Sequence, residues 1–191
     1  MRAFRASIQS ALLLACLLQP TVSPTEVISV RYPEGVSHGF LVLRTLEGKT
    51  IADGDSTQVA RGDRVTNRMR FLFKDGSVYE ETTVFSQRGT FRLLSDHVIQ
   101  KGPTFTRPME TEIDATSGQV TVRYTDEGKE KVLTEHLDLP PDVANGILFT
   151  LLKNVKRNAA TTTVSYVATS PKPRTSVTPR IAETCFLCKL L

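Results

Sequence analysis

The sequence predicts a mainly β fold: an antiparallel curved sheet or partial β-barrel, built as a meander, with one amphipathic helix packed on it. Runs of β-branched and aromatic residues recur along most of the chain and indicate strands. Short turn sequences with Gly or Asp separate these runs at the spacing typical of successive hairpins. Since the chain has 191 residues, it is long enough for one domain of ordinary size.

The clearest strand pair is predicted over residues 65–86. Apolar and polar residues alternate along its first strand, as expected where one face of a sheet is packed and the other is wet. The two sets are Val65, Met69, Phe71 and Phe73 against Thr66, Arg68 and Arg70. The turn at Asp75-Gly76 then leads into a second strand that begins at Val78.

Two further strand signals follow later in the chain. Alternation with polar residues predicts that Phe91, Leu93 and Ile99 share one face of a strand. A second hairpin is predicted over residues 119–137, with its turn at 126–128. This alternation is typical of antiparallel sheets, because buried parallel strands are apolar on both faces.

One helix is predicted, at about residues 141–156. Pro140 and Pro141 mark its start, and Asp142 adds negative charge to its first turn. Apolar residues then recur at helical spacing: Val143, Ile147, Leu148, Leu151, Leu152 and Val155. Gly146 weakens a helix by about 1 kcal/mol relative to Ala. The apolar stripe is expected to cover the apolar face of the sheet.

Residues 1–23 are predicted to be a signal peptide, followed by a linker over residues 24–36. The apolar run of this leader is too short to span a bilayer. Leu13-Leu14-Ala15-Cys16 is similar to a bacterial lipobox, in which Cys16 is lipidated and becomes the first mature residue. An ordinary leader cut near residues 21–24 is the alternative. The protein is thus expected in the periplasm or the extracellular space, anchored to a membrane only if Cys16 carries lipid.

The charge of the chain argues against a nucleic-acid partner. The formal net charge of +4 falls to +2 when Arg2 and Arg5 are removed with the leader. Such a balance is not the basic signature of a nucleic-acid binder. After the leader, no segment has the roughly 20 consecutive apolar residues that a transmembrane helix needs.

A main β domain is predicted over residues 37–170, and an irregular tail over residues 171–191. The last eleven residues end the chain on apolar side chains without turn signals, which suggests an aberrant or truncated tail. Cys185 and Cys188 form a Cys-x-x-Cys pair that fits a redox pair, a small disulfide loop or half of a zinc site. A structural or accidental pair is favoured. The three histidines of the chain are isolated, which argues against zinc, and a redox motif normally opens a helix after a strand, whereas this pair lies in an apolar terminal segment.

The sequence contains no motif for catalysis, metal binding or cofactor binding. A G-x-S-x-G elbow, a phosphate-binding glycine loop, a dinucleotide fingerprint and an EF-hand loop are all absent. Asp96 precedes His97, but neighbours on a strand point to opposite faces, so the two cannot form a dyad. Glu110, Glu112 and Asp114 share one strand face, interpreted as a solvated outer face. No enzyme, metal or cofactor is therefore predicted.

The layout of residues 37–169, with Leu139-Pro140-Pro141-Asp142 before the helix, resembles the uncharacterised exported β-sheet proteins grouped as domain of unknown function 3108. The resemblance implies an architecture like the curved half-barrels of periplasmic lipid and lipoprotein carriers, in which a concave sheet holds acyl chains under a helix. It implies that an apolar or lipid-like ligand binds along seven residues: Phe71, Phe73, Phe85, Phe91, Leu148, Phe149 and Leu152.

Three functions remain open at this point. The first is an exported envelope protein that binds an apolar small molecule or lipid. The alternatives are a purely structural or protein-interaction β domain, and a hydrolase whose site the sequence does not reveal. A cavity of roughly 300 Å³ or more would favour a ligand site over a filled core. Convergence of a histidine with a carboxylate and a nucleophile would favour the hydrolase.

Overall fold

The computed structural model describes residues 27–156, 162–168 and 174–181, with side chains in all but the last range. Within these residues, eight strands form one antiparallel meander that is not closed, a two-stranded sheet follows it in the chain, and one helix lies between the two sheets in sequence. The predicted fold class is therefore confirmed. The elements are β1 (Ser37–Arg44), β2 (Thr50–Arg61), β3 (Arg64–Phe73), β4 (Val78–Ser86), β5 (Arg92–Lys101), β6 (Met109–Asp114), β7 (Gln119–Asp126), β8 (Lys129–His136), α1 (Leu148–Asn154), β9 (Thr162–Ala168) and β10 (Arg174–Ile181).

The turn between β7 and β8 shows how local sequence sets the register. Glu127 and Gly128 have φ angles of 49° and 75°. Two successive positive φ values define a type I′ turn, whose twist matches that of the flanking strands. Asp126 and Lys129 pair directly across the turn. The hairpin predicted over residues 119–137 is confirmed.

The strand register gives the meander two chemically different faces. We call the side that carries Val65, Thr83 and Phe85 the inner face, and the side that carries Arg68 and His97 the outer face. On β3, the alternation predicted from the sequence is confirmed, because residues 65, 67, 69, 71 and 73 are buried or half-buried and their neighbours at 64, 66, 68, 70 and 72 are exposed.

A β-bulge in β5 changes which residues share a face. Phe85 pairs with Leu93, whereas the preceding residue Val84 pairs with Ser95, so Leu94 is an extra residue in β5. A bulge shifts the side-chain alternation by one residue. The prediction that Ile99 shares a face with Leu93 is therefore wrong: Ile99 lies on the outer face with His97, and Asp96 lies on the inner face.

The hydrophobic core lies between one end of the inner face and a cover made of residues 139–147, α1 and β9. The rings of Phe85 and Phe91 are 6.2 Å apart at its centre. Full burial of such side chains contributes about 1.5 to 3 kcal/mol each. The buried apolar cluster consists of Ile28, Val65, Phe85, Phe91, Leu93, Ile113, Val120, Val143, Ala144, Ile147, Leu151, Val164 and Val167.

The helix is shorter than predicted, since α1 has seven residues and begins at Leu148 rather than near residue 141. The preceding segment uses its polar groups to bind β9 instead. The Ala144 amide donates to the Ser165 carbonyl at 2.8 Å, and the Ser165 hydroxyl donates to the Asp142 carboxylate at 3.0 Å. Gly146 has a φ of 67°, which no helical residue adopts. The apolar residues at helical spacing are still buried, but partly by an irregular segment.

The predicted linker is packed against the domain from residue 27 onward. Ile28 belongs to the core, and its carbonyl accepts a hydrogen bond from the Phe91 amide at 3.2 Å. The buried Asn154 side chain at the end of α1 accepts from the Arg31 and Tyr32 amides at 2.8 and 2.7 Å. This segment is therefore part of the cover.

The tail predicted to be irregular contains a strand. β10 pairs antiparallel with β9, from Arg174 opposite Ala168 to Thr178 opposite Val164. Residues 182–191, with Cys185 and Cys188, lie outside the described residues, as does the predicted leader with Cys16.

One ion pair fastens the N-terminal segment to the helix. The Lys153 ammonium lies 2.6 Å from the Glu34 carboxylate, whose other oxygen accepts from Gln58 at 3.0 Å. Burial raises the pKa of Glu34, but the hydrogen bonds from Lys153 and Gln58 and the Lys153 charge outweigh it and lower the pKa below its usual value. A lowered carboxyl pKa stabilises the fold above the unfolded-state pKa, and the contribution is lost as the pH falls.

We expect Lys153→Gln to reduce the free energy of unfolding by about 1 kcal/mol at pH 7. The effect is small because Lys153 is half-exposed and water screens its charge. The difference from the unmodified protein should shrink as the pH falls below 4.5 and be lost once the pH has passed below the lowered pKa of folded Glu34, because the carboxyl is then protonated in both states. Urea unfolding at several pH values measures it. Lys156→Gln is the control, since Lys156 is exposed and makes no ion pair among the described residues; an equal loss there would contradict the assignment.

Candidate functional site

The seven residues proposed to bind a ligand fall into separate surroundings. Phe85 and Phe91 are 1% and 2% exposed and fill the core. Leu148 packs against that core and Leu152 is half-buried, whereas Phe149 is 78% exposed on the opposite side of the helix. Phe71 and Phe73 lie on the inner face beyond the core cluster. The structure therefore does not bring all seven together.

Phe71 and Phe73 belong to a half-buried apolar surface of their own. Phe71 lies over Gly54 and its ring is 6.4 Å from that of Tyr79, while Phe73 packs edge-on against Phe105 at 5.5 Å. Register places these residues in adjacent rows across the inner face. We call the following set the apolar patch: Leu41, Leu43, Met69, Phe71, Phe73 and Tyr79.

Charge is distributed unequally between the two faces around this patch. From β2 to β6, the inner face carries no Lys or Arg, and its carboxyl groups are Glu81 and Asp96. The outer face of the same strands carries ion pairs, such as Arg70 with Glu80 at 3.0 Å. The inner face is therefore suited to an apolar occupant and the outer face to water and ions.

A row of polar side chains separates the apolar patch from the core. It runs through Gln58, Asn67, Thr83 and Asp96, which are aligned across four strands. The Thr83 hydroxyl donates to the Asp96 carboxyl at 2.8 Å, and both residues are buried. Burying polar groups is tolerated when they bond to one another in this way.

Two carboxyl groups in and beside this row have altered acidity. Burial raises the pKa of Asp96 to about 8, and the charge of Glu81 on the next strand adds to the rise. Burial also raises the pKa of Glu81. Sequence reasoning missed this pair, because Asp96 faces inward only after the bulge at Leu94. Among the described residues, neither carboxyl hydrogen-bonds to a histidine.

A second cluster lies on the outer face, where His97, Glu110 and Glu112 converge. His97 is directly opposite Glu112, and its Nε2 atom is 2.8 Å from Glu110 Oε1. One ligand atom from each of the three residues lies within 4.8 Å of the others, so the group could hold a metal ion. The side chains are 40%, 35% and 49% exposed, in that order, so solvent reaches them.

The hydrolase alternative requires a nucleophile beside a histidine and a carboxylate. In the part of the chain that the structure describes, no hydroxyl or thiol hydrogen-bonds to His97. His136 is on β8, three strands from His97, where it pairs with Gln119 of β7; the ring of His38 on β1 lies 5.2 Å from that of Phe40. The interpretation of Glu110, Glu112 and Asp114 as one outer strand face is confirmed; the convergence with His97 was missed, because it depends on the pairing of β5 with β6.

A cavity of about 310 Å³ lies beside the cover rather than on the apolar patch. It is bounded by the strand end at Arg92 and Leu93 and by the prolines that precede the irregular segment. Its lining residues are Arg92, Leu93, Ala115, Leu139, Pro140, Pro141 and Val143. None of the seven predicted ligand residues contributes to it, although its volume reaches the lower range for ligand sites.

Comparisons with family models, curated proteins and solved structures found no match to this chain. The apolar patch and the outer cluster are therefore the two surfaces that bear on its function. Within the described ranges, no helical segment is long and apolar enough to cross a bilayer.

Gly146 is the residue that lets the cover approach the polar row. A Cβ atom at this position would collide with Thr83 Oγ1 and come within 2.8 Å of Asp96 Oδ1. Its φ of 67° also disfavours any residue with a side chain.

We expect Gly146→Ala to lower the free energy of unfolding by about 2 to 4 kcal/mol, because steric overlap adds to backbone strain. Gly128→Ala is the matched control, since φ is 75° there and a Cβ atom would meet nothing within 4 Å. That control should lose about 1 kcal/mol from strain alone. Denaturant unfolding followed by circular dichroism compares the two; equal losses would show that the close approach of the cover has no energetic weight.

Proposed function

We propose that this is an exported protein that binds an apolar or lipid-like small molecule on the apolar patch. The observation that carries the proposal is the half-buried row of Phe71 and Tyr79 with its neighbours, on a face without basic residues between β2 and β6. Such a surface offers contact to an acyl chain or an aromatic ring. It offers nothing to a phosphate or a nucleic acid, which require positive charge.

The size of the patch is consistent with weak affinity. Removing roughly 200 Å² of apolar surface from water contributes about 5 kcal/mol at 25 cal/mol per Å². The loss of ligand freedom on binding opposes this gain. A ligand that contacts only the patch is thus expected to bind with a dissociation constant of about 0.2 mM or weaker.

Export is the part of the proposal that rests on sequence alone. The positive start, apolar run and Cys16 of residues 1–23 are the pattern of a secretory leader. Lipidation of Cys16 would hold the sheet near a membrane, where apolar ligands are concentrated. Processing without lipid would give a periplasmic or extracellular carrier.

A protein-interaction role is the second candidate, and one observation favours it. β1 is an edge of the described meander, and its outer face exposes Phe40 by 87% and Val42 by 52%. An exposed edge strand can pair with a strand of a partner. This candidate predicts association through β1 and no dependence on the inner face.

We expect the neutral fluorophore N-phenyl-1-naphthylamine to bind saturably, and Phe71→Gln to weaken binding at least tenfold by removing the central ring of the patch. Leu72→Gln is the matched control, because the adjacent Leu72 is 49% exposed on the outer face. It should change affinity less than twofold. Fluorescence titration measures both variants, after circular dichroism has shown that each is folded. Absence of saturable binding, or equal weakening by both changes, contradicts the proposal.

Export is tested by mass spectrometry of the protein recovered from the envelope of a bacterial host. We expect an N-terminus between residues 16 and 25, with a diacylglyceryl mass on Cys16 if the lipobox is used. Cys16→Ser then separates the two routes, because it abolishes lipidation but leaves an ordinary cut intact. Full-length protein retained in the cytoplasm would contradict export.

A further inference from the structure

We infer that His97, Glu110 and Glu112 form a binding site for one divalent transition-metal ion of the zinc type on the outer face. The site is independent of the proposed apolar ligand, which lies on the other side of the sheet. An imidazole nitrogen and two carboxylate oxygens are ligands that zinc takes in proteins. Three protein ligands leave a coordination position for water.

The geometry requires only small side-chain movements. The three ligand atoms lie within 4.8 Å of one another. Zinc–ligand distances near 2.1 Å place tetrahedral ligands about 3.4 Å apart, so no pair of ligand atoms has to approach by more than about 1.4 Å. Because all three side chains stand on the paired strands β5 and β6, the backbone already fixes their directions.

The bulge at Leu94 supports a dedicated site. Without the extra residue, His97 would follow the alternation of Leu93 and face inward. The bulge turns it outward, opposite Glu112. Bulges next to sites commonly reorient a side chain in this manner. The hydrogen bond of 2.8 Å between His97 and Glu110 then holds the imidazole beside the second carboxylate.

Electrostatics favour a cation, with one internal competitor. Arg123 Nη1 on β7 lies 3.1 Å from Glu112 Oε1 and forms an ion pair with it. A bound metal ion has to displace this guanidinium from one carboxylate, and its positive charge opposes the ion. Removing Arg123 should therefore strengthen metal binding. If the three residues formed only ordinary surface ion pairs, removing Arg123 would not increase their affinity for a metal ion.

The nitrogen ligand sets the selectivity. Mg²⁺ and Ca²⁺ prefer sites made of oxygen atoms, whereas imidazole suits zinc, cobalt, nickel and copper. The site should thus bind Zn²⁺ and Co²⁺ and ignore Ca²⁺ at physiological concentration.

The test uses tag-free, metal-stripped full chain with Cys16, Cys185 and Cys188 replaced by serine, so that thiols cannot bind the probe. Zn²⁺ is titrated against a chromophoric indicator. We expect one ion per chain with a dissociation constant of 10 µM or tighter. His97→Gln and Glu112→Gln should each weaken binding at least tenfold, and Arg123→Gln should tighten it at least threefold.

The matched control is His136→Gln, which removes another outer-face imidazole of the same sheet and should change affinity less than twofold. A Co²⁺ absorption spectrum gives an independent readout of nitrogen and oxygen coordination. Binding weaker than 100 µM, equal competition by Ca²⁺, or an equal effect of His136→Gln would overturn the site. Circular dichroism of each variant separates loss of the site from loss of the fold.

Discussion

The extra residue in β5 is the constraint on which both the polar row beside the apolar patch and the outer cluster depend. Leu94 lies between two stretches of regular pairing with β4 and reverses the alternation of every residue after it. Asp96 therefore points into the polar row beneath the cover, and His97 points outward to the carboxylates of β6. Since a shift of one residue exchanges the two faces of a strand, deleting the bulge would bury the imidazole and expose the carboxyl.

The cover follows from a competition between two ways of satisfying backbone groups. Residues 142–147 have the apolar spacing of a helix, yet the Ala144 amide and the Asp142 carbonyl bond to the backbone of Ser165 on β9, and the Asp142 carboxylate accepts from the Ser165 hydroxyl. The tertiary bonds also allow Gly146 to lie against Thr83 at the polar row. Helix propensity is a weak preference, and here contacts distant in sequence override it.

Sequence periodicity predicted the features that depend on neighbouring residues. The strand class, the two hairpins and the faces of β3 were predictable, because turn residues and alternation act locally. The bulge at Leu94 was not predictable, because it is defined by the pairing of β5 with β4 and not by a residue pattern within β5. The length of α1 was overestimated because Val143 and Ile147 are buried without being helical. The convergence of His97 with Glu110 depends on the register between β5 and β6, which one amino-acid sequence alone does not reveal.

The polar row gives a physical reason to treat the apolar patch as a surface apart from the core. Asn67 and Thr83 lie between the patch and the core. If the patch and the core were one continuous apolar layer, replacing these two residues with apolar ones would be expected to stabilise the protein. Instead these groups are paired internally: the Ser56 hydroxyl donates to Asn67 at 3.0 Å and the Thr83 hydroxyl to Asp96 at 2.8 Å. Such a boundary divides the inner face into a core that holds the sheet against its cover and an apolar patch that lies beyond the polar row.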